Sequence, residues 1–342
     1  MKAVVLRSPG DVGVEEVAEP RLQADDDAII AVRTTAICGA DLFPFHGLTP
    51  GFEAGTILGH EFAGEVVDAG PAVRNLLGRR VVNASMISCG TCPSCRAGRV
   101  TQCDGRALFG YSGVYPRLDG GQAEFVRVPH AGRALRPLPD DVSDEDAVFL
   151  ADILPTGLAA VARAEVAAGD VVVVVGCGPV GLMAVLCAVD AGARVLAVDG
   201  VATRRDLASR LGAEPVEPEQ APDVVSAATG GLGADVVIEA GGTPGALDAS
   251  LRLARGRGTV SVVGAHFEPD YPLDNALMFE RELTLRFSIG DPTQDGDRLL
   301  ELVASRRLDP ARTITHRLPL ADASEAYRLF DSREATKVVL TP

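Results

Sequence analysis

Val171-Val172-Val173-Val174-Val175-Gly176-Cys177-Gly178-Pro179-Val180-Gly181 decides the fold class. Five consecutive β-branched residues fit a short strand buried on both faces, as in a parallel sheet. The strand runs directly into G-x-G-x-x-G, and the residues after it continue as an apolar helix to Asp190. That strand-turn-helix context gives the glycines a mechanism. Gly176 permits the tight turn, Gly178 lets backbone approach a pyrophosphate, and Gly181 lets helix pack on strand. Pro179 and Val180 open the helix, whose N-terminal N–H groups carry positive partial charge towards the phosphates. The stretch 171–189 has no charged residue and nearly the length of a membrane span. Its glycines and proline divide it, and Asp170 and Asp190 flank it, so a buried strand and helix explain it better.

The next apolar run, 194–198, ends at Asp199, 23 residues after Gly176. An acid at about that distance bonds the ribose diol of NAD and repels the 2′-phosphate of NADP. Arg204, five residues on, is of the type that accepts that phosphate, yet the carboxylate favours NAD. Further short apolar runs at 235–238, 259–263 and 283–287 alternate with helical stretches at 180–190, 203–211 and 245–254. Such alternation predicts a doubly wound parallel sheet. Upstream the pattern differs. Runs at 2–6, 27–34, 61–68, 80–83 and 123–128 are separated by turn residues and predict a β-rich domain. Residues 297–305 and 321–330 read as helices and 337–340 as a last strand. The fold class is therefore α/β, with two domains expected of 342 residues.

The formal net charge is −15, from 47 acidic and 32 basic residues, and no basic block interrupts it. A nucleic-acid backbone or an anionic membrane surface is thereby disfavoured as a partner. The first residues, Met1-Lys2-Ala3-Val4-Val5-Leu6-Arg7, lack the apolar core of a secretion signal, which predicts a cytoplasmic protein. Seven cysteines, an odd count, argue against a disulfide framework. Four of them, Cys89, Cys92, Cys95 and Cys103, crowd into a stretch of Cys, Gly and Pro without periodicity. Four thiolates at this spacing fit a closed tetrahedral zinc site that braces a lobe with no core of its own.

A second constellation is more diffuse. Cys38-Gly39-Ala40-Asp41 and Gly59-His60-Glu61 lie 22 residues apart. A cysteine, a histidine and an acid suit a catalytic zinc with an open position. The acid is Glu61 or a distant residue, and Asp41 is placed to orient His60. On spacing alone, a buried cysteine and a satisfied core histidine are the safer reading of these residues.

Taken together, the chain resembles the zinc-dependent medium-chain alcohol dehydrogenases over almost its full length. Gly59-His60-Glu61-x2-Gly64-x5-Gly70-x2-Val73 matches that family's zinc signature, and the four-cysteine lobe and the glycine fingerprint follow in the family's order. The run Phe149-Leu150-Ala151-Asp152-Ile153-Leu154-Pro155-Thr156-Gly157 is similar to the subgroup near the glutathione-independent formaldehyde dehydrogenases. The resemblance implies a GroES-like catalytic domain at 1–152 and 288–342, a structural zinc lobe at 85–121, and a Rossmann domain at 153–287. It implies Cys38, His60 and Asp152 as ligands of the catalytic zinc, with Glu61 exchanging or standing behind them. It places Thr156 and Gly264 near the nicotinamide, with exchangeable NAD(H) as the cofactor and two zinc ions per chain. It also implies a homodimer or homotetramer acting on a small alcohol or carbonyl.

Three positions depart from the family. Ala40 stands where a Ser or Thr is usual, Phe43 where a His is frequent, and Leu158-Ala159 where the subgroup has an aromatic residue and a His. The usual proton relay is therefore missing, with water, Glu61 or His46 as substitutes, although a histidine in a turn is more often an exposed bystander. Phe43, Phe45 and Leu158 would line an apolar pocket. Two further readings compete: reduction of an imine or conjugated alkene, in which the relay matters less, and a redox-inactive NAD-binding protein.

Overall fold

A computed structural model describes residues 1–266 and 270–342. It divides into two compact units, Met1–Asp152 with Asp291–Pro342, and Ile153–Gly290.

The first unit is built on strands. Lys2–Ser8 (β1) and Asp11–Glu16 (β2) form a hairpin, and Thr56–Ile57 (β4) adds to β1. Ala28–Ile37 (β3) is the spine of a seven-stranded sheet. Glu61–Ala69 (β5), Arg80–Asn83 (β6) and Leu135–Pro137 (β10) follow in order on one side. Val338–Thr341 (β18) and His316–Pro319 (β17) follow on the other, and Phe125–Val128 (β9) also pairs β3. Met86–Ile87 (β7) and Ala107–Leu108 (β8) form a separate pair at the base of the cysteine lobe. Alternating residues of β3, β5 and β9 meet in one core, where Phe62 and Phe109 pack edge to face with centroids 5.2 Å apart. The helix Ala323–Asp331 closes a second core with Val4, Leu6, Ile37 and Leu58.

The second unit is a six-stranded parallel sheet. Its strands are Val171–Val175 (β11), Arg194–Val198 (β12), Glu214–Val216 (β13), Ala234–Glu239 (β14), Ala254–Val262 (β15) and Thr284–Phe287 (β16). Their order is β13-β12-β11-β14-β15-β16. The order reverses between β11 and β14, the place where open α/β sheets bind dinucleotides at the carboxyl ends of their strands. β11 is buried along four of its five residues, as a run of Val requires in a sheet covered on both faces.

Several elements went unread in the sequence. β2 has only two valines among acids and a glycine, and it exists because Ser8-Pro9-Gly10 turns it back onto β1. The helix expected from 297 begins at Pro292, because the Asp291 carboxylate accepts from Thr293 N–H and Gln294 N–H and caps it there. The helix Ile153–Arg163 is buried along nine residues and shows little of the polar face that marks a helix in a sequence.

Candidate active site and dinucleotide site

Strand register assembles the metal cluster of the first unit. Ala36 in β3 pairs with Glu61 in β5, and Ile37 pairs with Val338 in β18. Cys38, His60, Glu61 and Lys337 are each within one residue of those pairings, so three strand ends converge. Asp152 joins them from the end of the turn Val148–Ala151, which is held where Ser85 N–H donates to Ala151 O at 2.9 Å. One donor atom from each of Cys38, His60, Glu61 and Asp152 lies within 4.8 Å of the others. Cys38 Sγ is 3.8 Å from Asp152 Oδ2, and His60 Nε2 is 3.4 Å from the same oxygen.

The surrounding groups hold this geometry. The other ring nitrogen, His60 Nδ1, is 3.2 Å from Asp41 Oδ1, within ion-pair reach though short of a well-aligned hydrogen bond. Cys38 N–H donates to Asp41 Oδ2 at 2.9 Å. Ser85 Oγ–H donates to Asp152 Oδ1 at 3.1 Å. Asn83 braces the His60 strand from both sides: its Nδ2 donates to His60 O and its Oδ1 accepts from Phe62 N–H. Gly59 has φ +95°, and a Cβ there would sit 2.4 Å from the Gln122 side chain, so only glycine serves both the turn and the packing. Glu61 is buried against Lys337, whose ammonium donates to its Oε2 and to Ile37 O. Ser85, Asn83, Gln122 and Lys337 were not expected. They carry no motif, and their partners are reached only through the fold.

Charge explains what the cluster is for. Burial pushes the Cys38 thiol up to about 11, and the Glu61 charge adds to that. Burial opposes a charged His60, yet Asp41, Cys38 and Asp152 hold it well above the ordinary imidazole range. Burial also opposes ionised Asp152, but the nearby His60 ring and the bond from Ser85 hold it below the ordinary carboxylate range. Burial raises Glu61, and Lys337 offsets part of that rise. Thiol, imidazole and carboxylates thus crowd a space from which water is largely excluded. Both ring nitrogens of His60, with Asp41 Oδ1 and Glu61 Oε1, are buried without a hydrogen bond, the ring nitrogens lying only at ion-pair distance from Asp41 and Asp152. A divalent cation relieves both the crowding and the orphaned atoms, and a sulfur, nitrogen and oxygen donor set fits zinc.

The lobe cysteines form the second cluster. One sulfur each from Cys89, Cys92, Cys95 and Cys103 lies within 4.8 Å of the rest. Backbone N–H groups of Thr91 and Cys92 donate to Cys89 Sγ, that of Cys89 to Cys103 Sγ, and that of Cys95 to Cys92 Sγ. These donors, Thr91 first, hold the Cys89 thiol down at about 5, the thiolate form that a metal requires. None of the seven cysteines is in a disulfide.

The pocket candidates are arranged as follows. Ala40 O accepts from the Tyr111 hydroxyl, and Phe43 is half-buried. Phe45 packs on Tyr327, with ring centroids 5.7 Å apart. His46 Nε2 is 2.8 Å from Asp331 Oδ1 with both side chains about two-fifths exposed, so that ring is engaged at the surface. Leu158 is buried in the helix Ile153–Arg163 of the other unit.

In the second unit, Gly176 has φ +92°, and a Cβ on Gly181 would lie 1.8 Å from Gly176 O. Gly178 caps the helix Pro179–Asp190, in which Pro179 and Val180 are the first residues. Asp199 closes the loop: its Oδ2 accepts from Cys177 N–H and its Oδ1 from Val201 N–H, both at 2.7 Å. Arg204 reaches to 4.0 Å from the point where a Gly178 Cβ would stand. Thr156 is buried near Gly290, and Gly264 is packed against Gly242 and Glu239 so closely that no Cβ fits. The Glu239 carboxylate, wholly buried at the end of β14, accepts from Gly241 and Gly242 N–H and lies 3.0 Å from His266 Nε2. Nothing in the sequence pattern singled out that pair.

Comparison with known proteins places this geometry. Residues 24–140 match the alcohol dehydrogenase GroES-like domain, and residues 179–305 match the zinc-binding dehydrogenase domain. A probable zinc-binding alcohol dehydrogenase of Mycobacterium tuberculosis is 37% identical over 99% of this chain and 87% of its own. The alcohol dehydrogenase TADH of Thermus sp. ATN1 superposes with a TM-score of 0.95 at 40% identity, covering 100% of this chain and 99% of that one. A putative zinc-binding dehydrogenase of Sinorhizobium meliloti, solved bound to NADP, superposes with a TM-score of 0.87 at 34% identity, covering 100% and 99%.

Proposed function

Because the chain belongs to the zinc-type medium-chain alcohol dehydrogenase family of oxidoreductases, we propose that it moves a hydride between NAD(H) and an alcohol or carbonyl substrate. The observation that carries this reading is the convergence of Cys38, His60, Glu61 and Asp152, with His60 Nε2 and Glu61 Oε1 buried and unpartnered. Cys38, His60 and Asp152 would hold a zinc ion, as the subgroup near the formaldehyde dehydrogenases does with the Asp of its corresponding run. Cys89, Cys92, Cys95 and Cys103 would hold a second. When bound, zinc supplies Lewis acidity at a substrate oxygen, and the nicotinamide takes or gives the hydride.

The chain's own residues have distinct parts. Asp41 Oδ1 stands 3.2 Å from His60 Nδ1 and orients the ring so that Nε2 faces the metal position. The Lys337 ammonium draws Glu61 Oε2 to its own side and leaves Oε1 as a reserve donor. Gly176, Gly178 and Gly181 let the dinucleotide approach, and Asp199 selects NAD by repelling a 2′-phosphate. The Arg204 side chain beside Gly178 tempers that selection.

A second reading keeps the same cofactor and changes the substrate to an imine or a conjugated alkene. It is favoured by Ala40 and Phe43, which carry no proton-transfer group, and by the engagement of His46 with Asp331. The assembly would be a cytoplasmic homo-oligomer, built on the sheet edge at β16. There Phe287 and Ile289 are more than half exposed, which a lone chain in water disfavours. Sedimentation of the purified protein as a monomer would remove that part. The chemistry is tested by NADH oxidation over a panel of aldehydes, ketones, imines and enals with product identification. Turnover of carbonyls supports the first reading, turnover confined to imines or enals the second, and no turnover with any substrate contradicts both.

A further inference from the structure

Next to the candidate metal cluster of the first unit, a line of buried polar side chains runs from Tyr327 to His60. The Tyr327 hydroxyl donates to Gln122 Oε1 at 2.9 Å. Gln122 Nε2 then faces Ala36 O at 3.2 Å and Asp41 Oδ2 at 3.4 Å. Asp41 Oδ2 also accepts from Cys38 N–H, and Asp41 Oδ1 faces His60 Nδ1 at 3.2 Å. Tyr327, Gln122, Asp41 and His60 are each at most 1% exposed, so water cannot substitute for a missing partner.

From these contacts we propose that Tyr327, acting through Gln122, is a positioning residue for the metal ligands Cys38 and His60. This rests on the two-zinc reading above and extends it to residues that touch no ligand.

The physical reason lies in the near symmetry of a carboxamide. Gln122 can present its oxygen or its NH2 to Asp41. Oxygen towards Asp41 would set it against a carboxylate and the Ala36 carbonyl. NH2 towards Asp41 leaves Oε1 needing a donor at the other end, and Tyr327 supplies it. Burial holds the Tyr327 phenol well above its ordinary range, so it remains O–H and can donate. With Gln122 so fixed, one oxygen of Asp41 is committed to Gln122 and Cys38 N–H. The other is left to fix His60 Nδ1 as the protonated nitrogen and Nε2 as the ligand.

Packing delivers the hydroxyl to that point. Tyr327 lies on the buried face of Ala323–Asp331, wedged against Phe45 of the segment that follows Cys38 and Asp41. The same helix ends at Asp331, which meets His46. The C-terminal helix thus grips the Cys38–His46 segment at two points, one buried and one exposed.

The quartet Cys89, Cys92, Cys95 and Cys103 provides an internal control, because it shares none of these side chains. Zinc release from the purified holoprotein to a chromogenic chelator should show a fast and a slow ion, and Cys38→Ser should abolish the fast one. Tyr327→Phe should speed the fast ion about tenfold and leave the slow one unchanged. Gln122→Leu should do at least as much, and adding Tyr327→Phe to it should change nothing further. Gln122→Glu, which keeps an oxygen for Tyr327 and loses the donor to Asp41, serves the same test should the leucine variant not fold. Cobalt placed at the Cys38 position should show shifted ligand-field bands in Tyr327→Phe, which a general loss of packing would not produce. A chain with fewer than two zinc ions, or a fast ion indifferent to Cys38→Ser, overturns the two-zinc reading and the proposal with it. Two ions of the expected kind, with wild-type release in Tyr327→Phe or an equal acceleration in the Gln122→Leu background, overturn the proposal alone.

Discussion

In the proposed reaction, cofactor choice and proton movement each turn on single side chains. The Asp199 carboxylate is buried to 9% exposure and bonded to two loop amides, so its position at the fingerprint is fixed. Asp199→Gly removes the carboxylate that would repel a 2′-phosphate near Arg204. NADH affinity should fall and NADPH affinity rise, each about tenfold for 1.4 kcal/mol, as read by fluorescence titration. Tighter NADPH than NADH binding by the wild type would contradict the assignment. Ala40 and Phe43 bear on the proton. An alcohol oxidised at the metal must lose its hydroxyl proton, and neither side chain can take it. Simple primary alcohols should therefore be poor substrates. Ala40→Thr with Phe43→His should restore part of a contribution worth about 10² to 10⁴ in rate. Ethanol and benzyl alcohol turnover across pH measures this, and family-like rates in the wild type with no gain in the variant would show the relay to be dispensable. At this scale the sequence shows Cys38, His60 and the quartet as candidates through short spacing. It does not show Lys337 or Tyr327, whose partners Glu61 and Gln122 lie 276 and 205 residues away. Only the pairing of β18 with β3, and the packing of the last helix, brings them in.

Elements differ in what anchors them. The entrance of β11 is tied to β14 by Asp235, which accepts from Val171 N–H at 2.8 Å and from Arg255 at 2.8 Å. Burial opposes this carboxylate, but those two bonds hold it below its ordinary range. A carboxyl depressed in the folded state stabilises above its unfolded value near about 3.9, and that contribution disappears as pH falls through the folded value. Asp235→Asn should therefore cost about 1 kcal/mol at pH 7, allowing for the solvent on one side, with the gap to wild type closing below about pH 4. Thermal denaturation from pH 7 to pH 3 measures this, and a gap independent of pH would exclude the carboxylate as its source. The cysteine lobe has another anchor. β7 and β8 are two residues each and cannot hold it, so Cys92→Ser should open it to proteolysis and lower the unfolding temperature. Legibility followed the same division. β11 and β12 were readable because Val-rich strands and the fingerprint reinforce each other within thirty residues. β13, which contains a proline, and β17, which is half-exposed, offer no apolar run and exist because β12 and β18 present edges to them.

At the scale of the whole molecule, a strand-built unit carries both candidate metal-ligand clusters and a separate parallel sheet carries the glycine-rich loop. No helix among the described residues is long and apolar enough to cross a membrane, consistent with reading 171–189 as strand plus helix. Hydride transfer that depends on a metal at Cys38, His60 and Asp152 is the central claim, and one measurement addresses it most directly. The purified protein is dialysed against a chelator until elemental analysis shows one zinc ion per chain remaining. NADH turnover with its best carbonyl substrate is then followed before and after stoichiometric zinc is restored, beside Asp152→Asn treated in the same way. Turnover should vanish with the first ion lost and return with its restoration in the wild type, while Asp152→Asn should keep its fold and stay inactive throughout. Undiminished turnover after loss of that ion, or full activity in Asp152→Asn, would contradict the claim.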